Sequence, residues 1–371
     1  MTPVYPDALY IVRLTVENAS IVSSHLTWGF PAPSAFVGFT HALQRKLNVI
    51  AEYQDVICSG VGILCHQFTP QVTQSGDYRY SPYQLNLARH PLEPNGTTPA
   101  IVEEGKGHME VSLIIALAGD GLTEHLSAND DELNAQSLKL IATINQTIWS
   151  MRLAGGAVFP HARVKSKLVR WSLAEAKKKT QKLRRYLLPS FALIHRHELL
   201  VAHQKWLGRY QAFADMEGHA DPSLLDSLLD ISRLNLSSKV KDQQTKPDVI
   251  EAVWSVRPRP EYLKGWLVPI PIGYGAITDL QAAGSVTGVR DSSYPVAFVE
   301  TLLSLGEWKS PHRIEDLTEI LWAYEAQPDQ GLYVLSQPFA PKVSIELTQH
   351  IDSALSDEFE DTDTETEEEE Y

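Results

Sequence analysis

Positive charge is concentrated in one stretch of an otherwise acidic sequence. Within residues 163–185 ten side chains are Lys or Arg and one is acidic, whereas the chain of 371 residues has a formal net charge of −14. Shortly before this stretch, Arg152 is followed by Gly155 and Gly156, and a turn of two glycines can bring bare backbone N–H groups close to a ligand. Clustered cations next to such a turn favour a polyanion, so we predict a nucleic-acid-binding surface here.

Both features also have a purely structural interpretation. The Gly155–Gly156 turn could end a helix and pack tightly against a sheet without binding anything. The basic candidates are Lys177, Lys178, Lys179, Arg184 and Arg185. These side chains could form an ordinary solvated helix face, or a broad surface that follows a phosphate backbone without reading its sequence.

Four residues outside this stretch are weaker candidates. Trp28 lies in a loop and could accept an unstacked base, or it could simply pack against the loop. Arg45, on the first predicted helix, could contact a phosphate. His312 and Arg313 follow Ser310 at the start of a predicted helix, where an anion could bind, although Ser310 could equally serve only as the helix cap.

The spacings of common catalytic and metal motifs are missing. His197-Glu198 would need a second histidine at position 201 to form a zinc-protease site, but that residue is Val201, and His203 comes too late. Gly60-Val61-Gly62 lacks the third glycine of a dinucleotide-binding turn, and the sequence contains neither a GxSxG elbow nor a phosphate loop. We therefore predict no catalytic residue, no metal and no cofactor.

Negative charge is concentrated near the C-terminal end. Of the 46 Asp and Glu residues, 11 lie within residues 352–371, so 35 remain against 32 Lys and Arg in the rest of the chain. A segment with so few apolar residues cannot bury enough surface to offset the entropy of ordering it, so we predict a disordered acidic tail. The tail could serve only solubility, or it could mimic a nucleic acid and bind back to the basic face.

The composition favours a protein of a reducing cytoplasm. The first residues carry neither a basic start nor a long apolar run, and no stretch approaches the ~18 apolar residues of a membrane span. Cys58 and Cys65 are the only cysteines, and their spacing on one predicted strand points them to opposite faces. We expect neither a disulfide nor a membrane partner.

Hydrophobic periodicity in the first half predicts the order β-α-β-β-α-β. The predicted strands cover 9–16, 56–68, 109–117 and a stretch from 157, with a short extra strand at 83–87. The predicted helices cover 35–47, capped by Ser34, and 130–151. This order is that of the ferredoxin-like unit, so we predict an α+β fold with a modified ferredoxin-like core.

The second half is predicted to elaborate this core. The predicted helices cover 173–188, 224–234, 296–305 and 314–324, and the predicted strands cover 265–273 and 332–335, with a linker at 242–247. Pro269 and Pro271 should confine the first of these strands to a sheet edge or a loop. The resulting division is a core at 8–170, a basic and mostly helical lobe at 171–250, a strand-plus-helix segment at 251–345 that packs on the core and contacts partners, and the tail at 352–371.

Four motifs taken together resemble one known family. They are Ser23–Pro31, Met151–Gly156, Gly265–Pro271 and Gly306–Arg313. In them the sequence resembles the second Csy subunit of type I-F CRISPR surveillance complexes, a Cas-five-type member of the repeat-associated (RAMP) proteins. The resemblance runs from about residue 8 to about residue 340.

The resemblance implies a role in an RNA-guided complex. It implies a modified RNA-recognition fold with an added thumb, which grips the 5′ handle of CRISPR RNA. It also implies pairing with the large Csy subunit at one end of a backbone of repeated Csy subunits, with target double-stranded DNA passing nearby. The glycine-rich loop of RAMP proteins corresponds to Gly155–Gly156, and the motifs at 265–272 and 306–313 would contact protein neighbours.

Two other functions compete with this expectation. Some RAMP relatives cleave RNA with a helix histidine, so His41 could make the chain a metal-independent endoribonuclease that trims precursor CRISPR RNA, although an ordinary buried histidine is the simpler interpretation. Alternatively, the chain could be a structural bridge that contacts only protein. The acidic tail departs from the pattern of the family.

Overall fold

The chain combines a large sheet with five α-helices in the part that the structure describes. The structure is a computed structural model, and it describes residues 4–74, 76, 81–89, 91–93, 95–127, 133–213, 221–240, 252–257 and 259–341. The chain divides into two compact units. The large unit comprises residues 1–194, 270–303 and 309–340, and the small unit comprises 195–269, 304–308 and 341–371. The predicted linker at 242–247 and the acidic tail at 352–371 lie outside the described residues.

Sixteen strands and five helices follow one another along the described residues. The first half contains β1 (Ala8–Ser20), α1 (Pro33–Leu47), β2 (Ile57–Pro70), β3 (Val72–Gln74), β4 (Tyr83–Arg89), β5 (Ile101–Glu104), β6 (Lys106–Ala118), α2 (Ala135–Trp149), β7 (Arg152–Leu153), β8 (Gly156–Pro160) and β9 (Lys167–Arg170). The second half contains α3 (Ala176–Leu187), β10 (Phe191–His195), α4 (His197–Phe213), α5 (Leu224–Ser232), β11 (Leu236–Val240), β12 (Ala252–Val256), β13 (Trp266–Ala276), β14 (Val299–Lys309), β15 (Leu321–Gln327) and β16 (Leu332–Ser336).

Eleven strands form the main sheet. Their order is β10-β14-β13-β16-β15-β2-β6-β1-β8-β7, and β9 pairs with β1 beside β8. In the middle of this order β2, β6, β1 and β8 are neighbours that pair antiparallel. Helix α1 connects β1 to β2, and α2 connects β6 to the β7–β8 hairpin. Strands β3, β4 and β5 follow β2 and precede β6 along the chain, and they form a separate three-stranded sheet. The sequence predicted only the middle one of these three strands.

The core forms where the central strands are covered by α3. Leu9 and Ile114, on neighbouring strands, are fully buried. Both belong to the core cluster that receives Leu183 and Leu187 from α3. Because the helix buries this apolar side, its basic side chains must point away from the sheet. The core therefore determines which face of α3 is presented to solvent.

Two predicted helices are in fact strands. The segment predicted as a helix at 296–305 lies largely in β14, and the one at 314–324 contains a short 3-10 helix, Leu317–Ile320, followed by β15. Both strands lie inside the sheet, and residues 304–308, 321 and 322 are buried. A strand that is buried on both faces shows a continuous apolar run, which periodicity does not distinguish from a buried helix.

The strand predicted at 265–273 is longer than expected and does not lie at an edge. Strand β13 lies between β14 and β16. It pairs with β16 through residues 273–275, which come after Pro269 and Pro271. Neither proline interrupts that ladder, so the expected confinement to an edge was wrong.

The helix starts also differ from the predicted ones. Helix α1 begins at Pro33, with Ala32 as its N-cap and without a side-chain cap, so Ser34 lies inside the helix. Helix α2 begins after Asn134, whose side chain accepts a hydrogen bond of 2.7 Å from the Ser137 N–H. The predicted start of α2 at 130–131 lies outside the described residues.

Both cysteines of the chain are free thiols. Burial raises the pKa of Cys58 to about 12, and burial together with the nearby Glu110 raises the pKa of Cys65 to about 12. Their thiols therefore stay protonated at neutral pH. Among the described residues no helix is both long and apolar enough to cross a membrane.

Candidate nucleic-acid interface

The glycine turn is a β-hairpin turn at the end of the sheet. Helix α2 ends at Trp149, and the chain then forms β7 and β8, with Leu153 paired to Gly156. Ala154 and Gly155, the two residues of the turn, have positive φ angles of 49° and 76°. Positive φ at both positions is typical of a tight two-residue hairpin. The turn is therefore not a helix C-cap, whereas the tight packing that this alternative also expected is present at Gly156.

The two glycines have different roles. A Cβ atom at Gly156 would lie 2.7 Å from the Glu17 carbonyl oxygen and 2.9 Å from the Ala19 nitrogen, so this position has no room for a side chain. A Cβ atom at Gly155 would meet no heavy atom within 4 Å. Arg152 donates a hydrogen bond of 3.2 Å to the Gly155 carbonyl oxygen and is exposed. Gly155 and Arg152 can thus face a ligand, whereas Gly156 serves packing.

We expect Gly156→Ala to destabilise the protein by about 2–3 kcal/mol, because the new Cβ atom would overlap backbone atoms of β1. Gly155→Ala is the matched control, and it should cost only about 1 kcal/mol because positive φ is its one penalty. Chemical denaturation of the two variants measures the difference. Equal losses would contradict these separate roles.

Two of the predicted basic residues are held by backbone carbonyls. The Lys179 ammonium donates a 2.6 Å hydrogen bond to the Arg170 carbonyl oxygen. The Arg184 guanidinium donates bonds of 3.2 Å and 2.5 Å to the Ile314 carbonyl oxygen. Both side chains therefore fasten α3 to its surroundings and are only partly available to a ligand.

The other bases of α3 face solvent. Lys177 is exposed and forms an ion pair of 3.1 Å with Glu315, which is also exposed. Lys178, Lys182 and Arg185 are exposed. Their spacing of four and three residues places these three side chains along one line of the helix. We call this line the basic stripe; it is narrower than the broad face that the sequence predicted.

A cationic cavity lies beside the basic stripe. It has a volume of 280 Å³, and its polar lining consists of Ser166, Lys167, Lys179 and Lys182. The described residues that line it include no carboxylate. The Lys167 ammonium lies 4.6 Å from the centre of the Tyr186 ring. We call this cavity the lysine cleft. The Lys179 ammonium also pairs with the Glu175 carboxylate at 3.3 Å, so part of its charge is already compensated. Three clustered ammonium groups suit a phosphate group.

An exposed aromatic pair lies elsewhere in the large unit. Trp28 is 44% exposed and contacts Tyr83 of β4 edge to face, with ring centres 5.4 Å apart. Tyr83 is itself 56% exposed. Phe30 instead stacks on Phe36 of α1, with ring centres 5.5 Å apart. Two exposed rings of this kind can stack on unpaired bases. The sequence interpretation missed Tyr83 because 55 residues separate it from Trp28.

The remaining candidates are exposed but are not brought together with the turn. Arg45 lies at the exposed end of α1. His312 and Arg313 are exposed within a single 3-10 turn, and Ser310 makes no side-chain cap there. The predicted anion site at a helix N-terminus was therefore wrong, because no α-helix starts at this position. These three side chains lie at the surface, and their contact with RNA stays a prediction.

His41 lines a different cavity in the large unit. This cavity has a volume of 240 Å³ and is also lined by Gln44, Tyr324 and Glu325. The His41 and Tyr324 rings are in contact, with centres 4.6 Å apart. Burial, with a smaller contribution from Arg45, lowers the pKa of His41. The imidazole is therefore neutral at neutral pH.

A buried polar network on the sheet was missed by the sequence interpretation. His66 contacts the Pro189 carbonyl oxygen at 2.6 Å through Nδ1 and the Ser112 hydroxyl at 2.7 Å through Nε2. Arg13 donates to the Tyr186 carbonyl oxygen at 3.0 Å. Ser112 is fully buried, so this histidine–serine pair cannot meet a substrate. The network is structural, and its members are too far apart in sequence to form a motif.

We expect the free energy of unfolding to fall as the pH is lowered from about 6.5 to about 4. Burial lowers the pKa of His66 to about 4, and it does the same for His195. A histidine with a depressed pKa takes up its proton less readily in the folded than in the unfolded chain, so acid favours unfolding throughout this window. Urea titrations at pH 7 and pH 5 measure the slope, and His66→Gln should reduce it. An unchanged slope in that variant would contradict the assignment.

Among the described residues, no group of three or more His, Cys, Asp or Glu side chains is placed to hold a metal ion.

Comparison with known proteins gives two findings. Residues 9–335 match the model of a family described as CRISPR-associated protein (Cas_Csy2). The chain is also 39% identical over 341 residues to the CRISPR-associated protein Csy2 of Pseudomonas aeruginosa (strain UCBPP-PA14), a match that covers 90% of this chain and 96% of that relative. The acidic tail lies beyond the residues that the family model matches.

Proposed function

Because this chain belongs to the Csy2 family of CRISPR-associated proteins, we propose that it is a non-catalytic, RNA-binding subunit of a type I-F CRISPR interference complex. In this role it binds the 5′ handle of CRISPR RNA in the cytoplasm. It pairs with the large Csy subunit at one end of the backbone, beside the adjacent backbone subunit, and target double-stranded DNA passes nearby. Family membership confirms the Csy resemblance seen in the sequence, whereas the Cas-five-type RAMP relationship stays a prediction.

The lysine cleft, together with the basic stripe, carries the proposal. The cleft gathers the ammonium groups of Lys167, Lys179 and Lys182, of which Lys179 is partly engaged by Glu175, and the stripe adds Lys178 and Arg185 on the same helix. An RNA backbone places phosphates at regular intervals and gains affinity from each cation that neutralises one. Such a surface binds RNA phosphates whatever the base sequence, which suits a subunit that holds the handle in a fixed position.

The connections of the central strands support the proposed fold. Strands β1, β2, β6 and β8 and the two helices between them follow the β-α-β-β-α-β order, and these strands are neighbours in the sheet. A ferredoxin-like core of this kind is used by RNA-recognition domains. We propose that the RNA-binding surface is an addition to such a core, supplied by α3 and the β7–β8 turn.

RNA binding and cleavage separate this proposal from its competitor. In the competing function, His41 acts from within its cavity as general acid or base of a metal-independent endoribonuclease. We expect purified protein to bind precursor CRISPR RNA and leave it intact, and His41→Ala to bind it equally well. Cleavage by the wild type that is lost in His41→Ala would establish the enzyme. If neither protein bound RNA, the result would support the third function, a structural bridge that contacts only protein.

A further inference from the structure

The small unit contains an open groove between α5 and the region of the β11–β12 hairpin. A cavity of 490 Å³ lies there, and its apolar lining consists of Leu207, Tyr210, Leu229, Leu234 and Leu236. A second cavity of 220 Å³ shares five lining residues with it, among them Arg233 and Arg257. The two cavities therefore form one depression, which we call the hairpin groove.

The rim of the hairpin groove exposes apolar side chains. Leu225 and Leu229, one helical turn apart on α5, are each 50% exposed. On the hairpin, Leu236 pairs with Val256, and Trp254 precedes Val256 by two residues, so these three side chains share one face. They are 57%, 53% and 67% exposed, respectively. Contiguous exposed apolar side chains of this kind mark a docking surface more often than a nucleic-acid surface.

The floor of the groove is cationic. Arg233, Arg257 and Arg259 line the smaller cavity, and Asp230 is the one carboxylate among its described lining residues. That carboxylate is already bonded to His203, at 2.7 Å, and to Arg257. The Arg257 Nε–H is buried and has no hydrogen-bond acceptor among the described residues. The groove therefore fits an apolar segment that also brings an acidic side chain.

One segment of this chain has that composition. Four apolar residues, Leu347, Ile351, Leu355 and Phe359, recur every fourth residue in its sequence. Four acidic residues, Asp352, Asp357, Glu358 and Glu360, lie between or beside them. The segment lies outside the described residues and beyond the span that the family model matches. The 19 residues from Pro341 to Phe359 can span up to ~60 Å when extended, which is enough to reach a groove in the same unit.

We propose that residues 347–360, which include the first part of the acidic tail, dock in the hairpin groove of the same chain. The apolar side chains cover the Leu and Trp rim, and a carboxylate pairs with Arg233, whose side chain is 68% exposed at the groove. This inference goes beyond the proposed function and does not depend on it. It assigns the tail a binding site in the small unit, and so differs from an acidic mimic that covers the basic stripe.

Photocrosslinking of the full chain tests the inference. Benzoylphenylalanine at position 359 should form crosslinks within one chain to residues 225–236 or 252–257, whereas the same group at position 371, beyond the acidic run, should form few of them. Leu229→Glu, which places a charge on the apolar rim, and Arg233→Glu, which reverses a side chain that is 68% exposed, should each lower the yield at least fivefold. Leu92→Glu, at a side chain that is 66% exposed in the large unit, is the matched control and should leave the yield unchanged.

The other occupants give distinguishable results. Crosslinks between two chains at low protein concentration would assign the groove to a second copy and overturn the inference. Crosslinks to residues 176–187 would show that the tail covers α3, and they would overturn the inference. A crosslinking yield that Leu229→Glu leaves unchanged would also overturn the inference. Loss of the position 359 crosslinks when the large Csy subunit is added would show that a partner displaces the tail, and would leave the docking in the free chain confirmed.

Discussion

Replacing Lys178 and Arg185 together by glutamate should weaken binding of CRISPR RNA by about 10- to 100-fold at physiological salt, because two cations of the basic stripe become anions. Each contact that the protein loses with a phosphate of single-stranded RNA lowers the slope of log affinity against log salt by about 0.7. The loss of two such contacts should therefore lower the slope by about 1.4. Both side chains are exposed, and fold stability should not change. Fluorescence anisotropy over a salt series measures both effects.

The matched control reverses two exposed lysines away from the basic stripe. Lys205 on α4 and Lys264 are both exposed in the small unit, and Lys205→Glu with Lys264→Glu changes the net charge by the same amount. If this control weakens RNA binding as much as the stripe variant, the effect is one of total charge and the proposed surface is wrong. If neither variant changes affinity or slope, the chain contacts only protein.

Asp230→Ala should destabilise the small unit by about 3–5 kcal/mol, the usual cost of breaking a buried charge pair by removing one partner. Asp230 is 3% exposed, and its carboxylate accepts from His203 and from Arg257. Without it, Arg257 keeps its charge but loses its acceptor, while its guanidinium stays against the Trp206 and Tyr210 rings at 5.1 Å. Thermal or urea unfolding of the variant measures the loss.

A surface ion pair of the same unit provides the control. Glu261 pairs with Lys264, and both side chains are largely exposed, so Glu261→Ala should cost less than about 1 kcal/mol. Similar losses in the two variants would mean that the buried network contributes no more than a solvated pair.

Acid should weaken the same buried network. Burial by itself would raise the pKa of Asp230, but the hydrogen bond from His203 and the charge of Arg257 outweigh it and hold the pKa below its usual value. A depressed carboxyl pKa stabilises the fold above the unfolded value of about 4, and this contribution is lost as the pH falls further. The loss in Asp230→Ala should therefore be smaller when it is measured at pH 3 than at pH 7.

Local patterns predicted the elements that position the candidate surface. The helix predicted at 173–188 is α3, Ala176–Leu187, because its apolar residues recur at helical spacing and a sheet lies beneath them. The sequence did not predict which basic side chains of α3 are exposed and which are bound to backbone carbonyls. Arg184 is held by Ile314, which is 130 residues away, and only the folded chain brings that carbonyl to it.

Long-range neighbours explain the other differences as well. The segments at 296–305 and 314–324 contain most of β14 and the start of β15, which neighbouring strands hold in the sheet. Their apolar runs fit a helix equally well. Tyr83 joins Trp28 only through the extra sheet of β3, β4 and β5. Sequence reasoning identified the charged helix and the turn, but not which side chains are already occupied by the fold.

The state of the two native cysteines has a practical consequence for labelling. Thiolates are the species that react with maleimides and oxidants, and a thiol with a pKa of about 12 supplies almost none of them at pH 7. A cysteine introduced on the surface, for example at Lys178 or Trp254, should therefore react faster than either native thiol. Fluorophores could be attached there at pH 7 in preference to Cys58 and Cys65, whose thiols stay protonated.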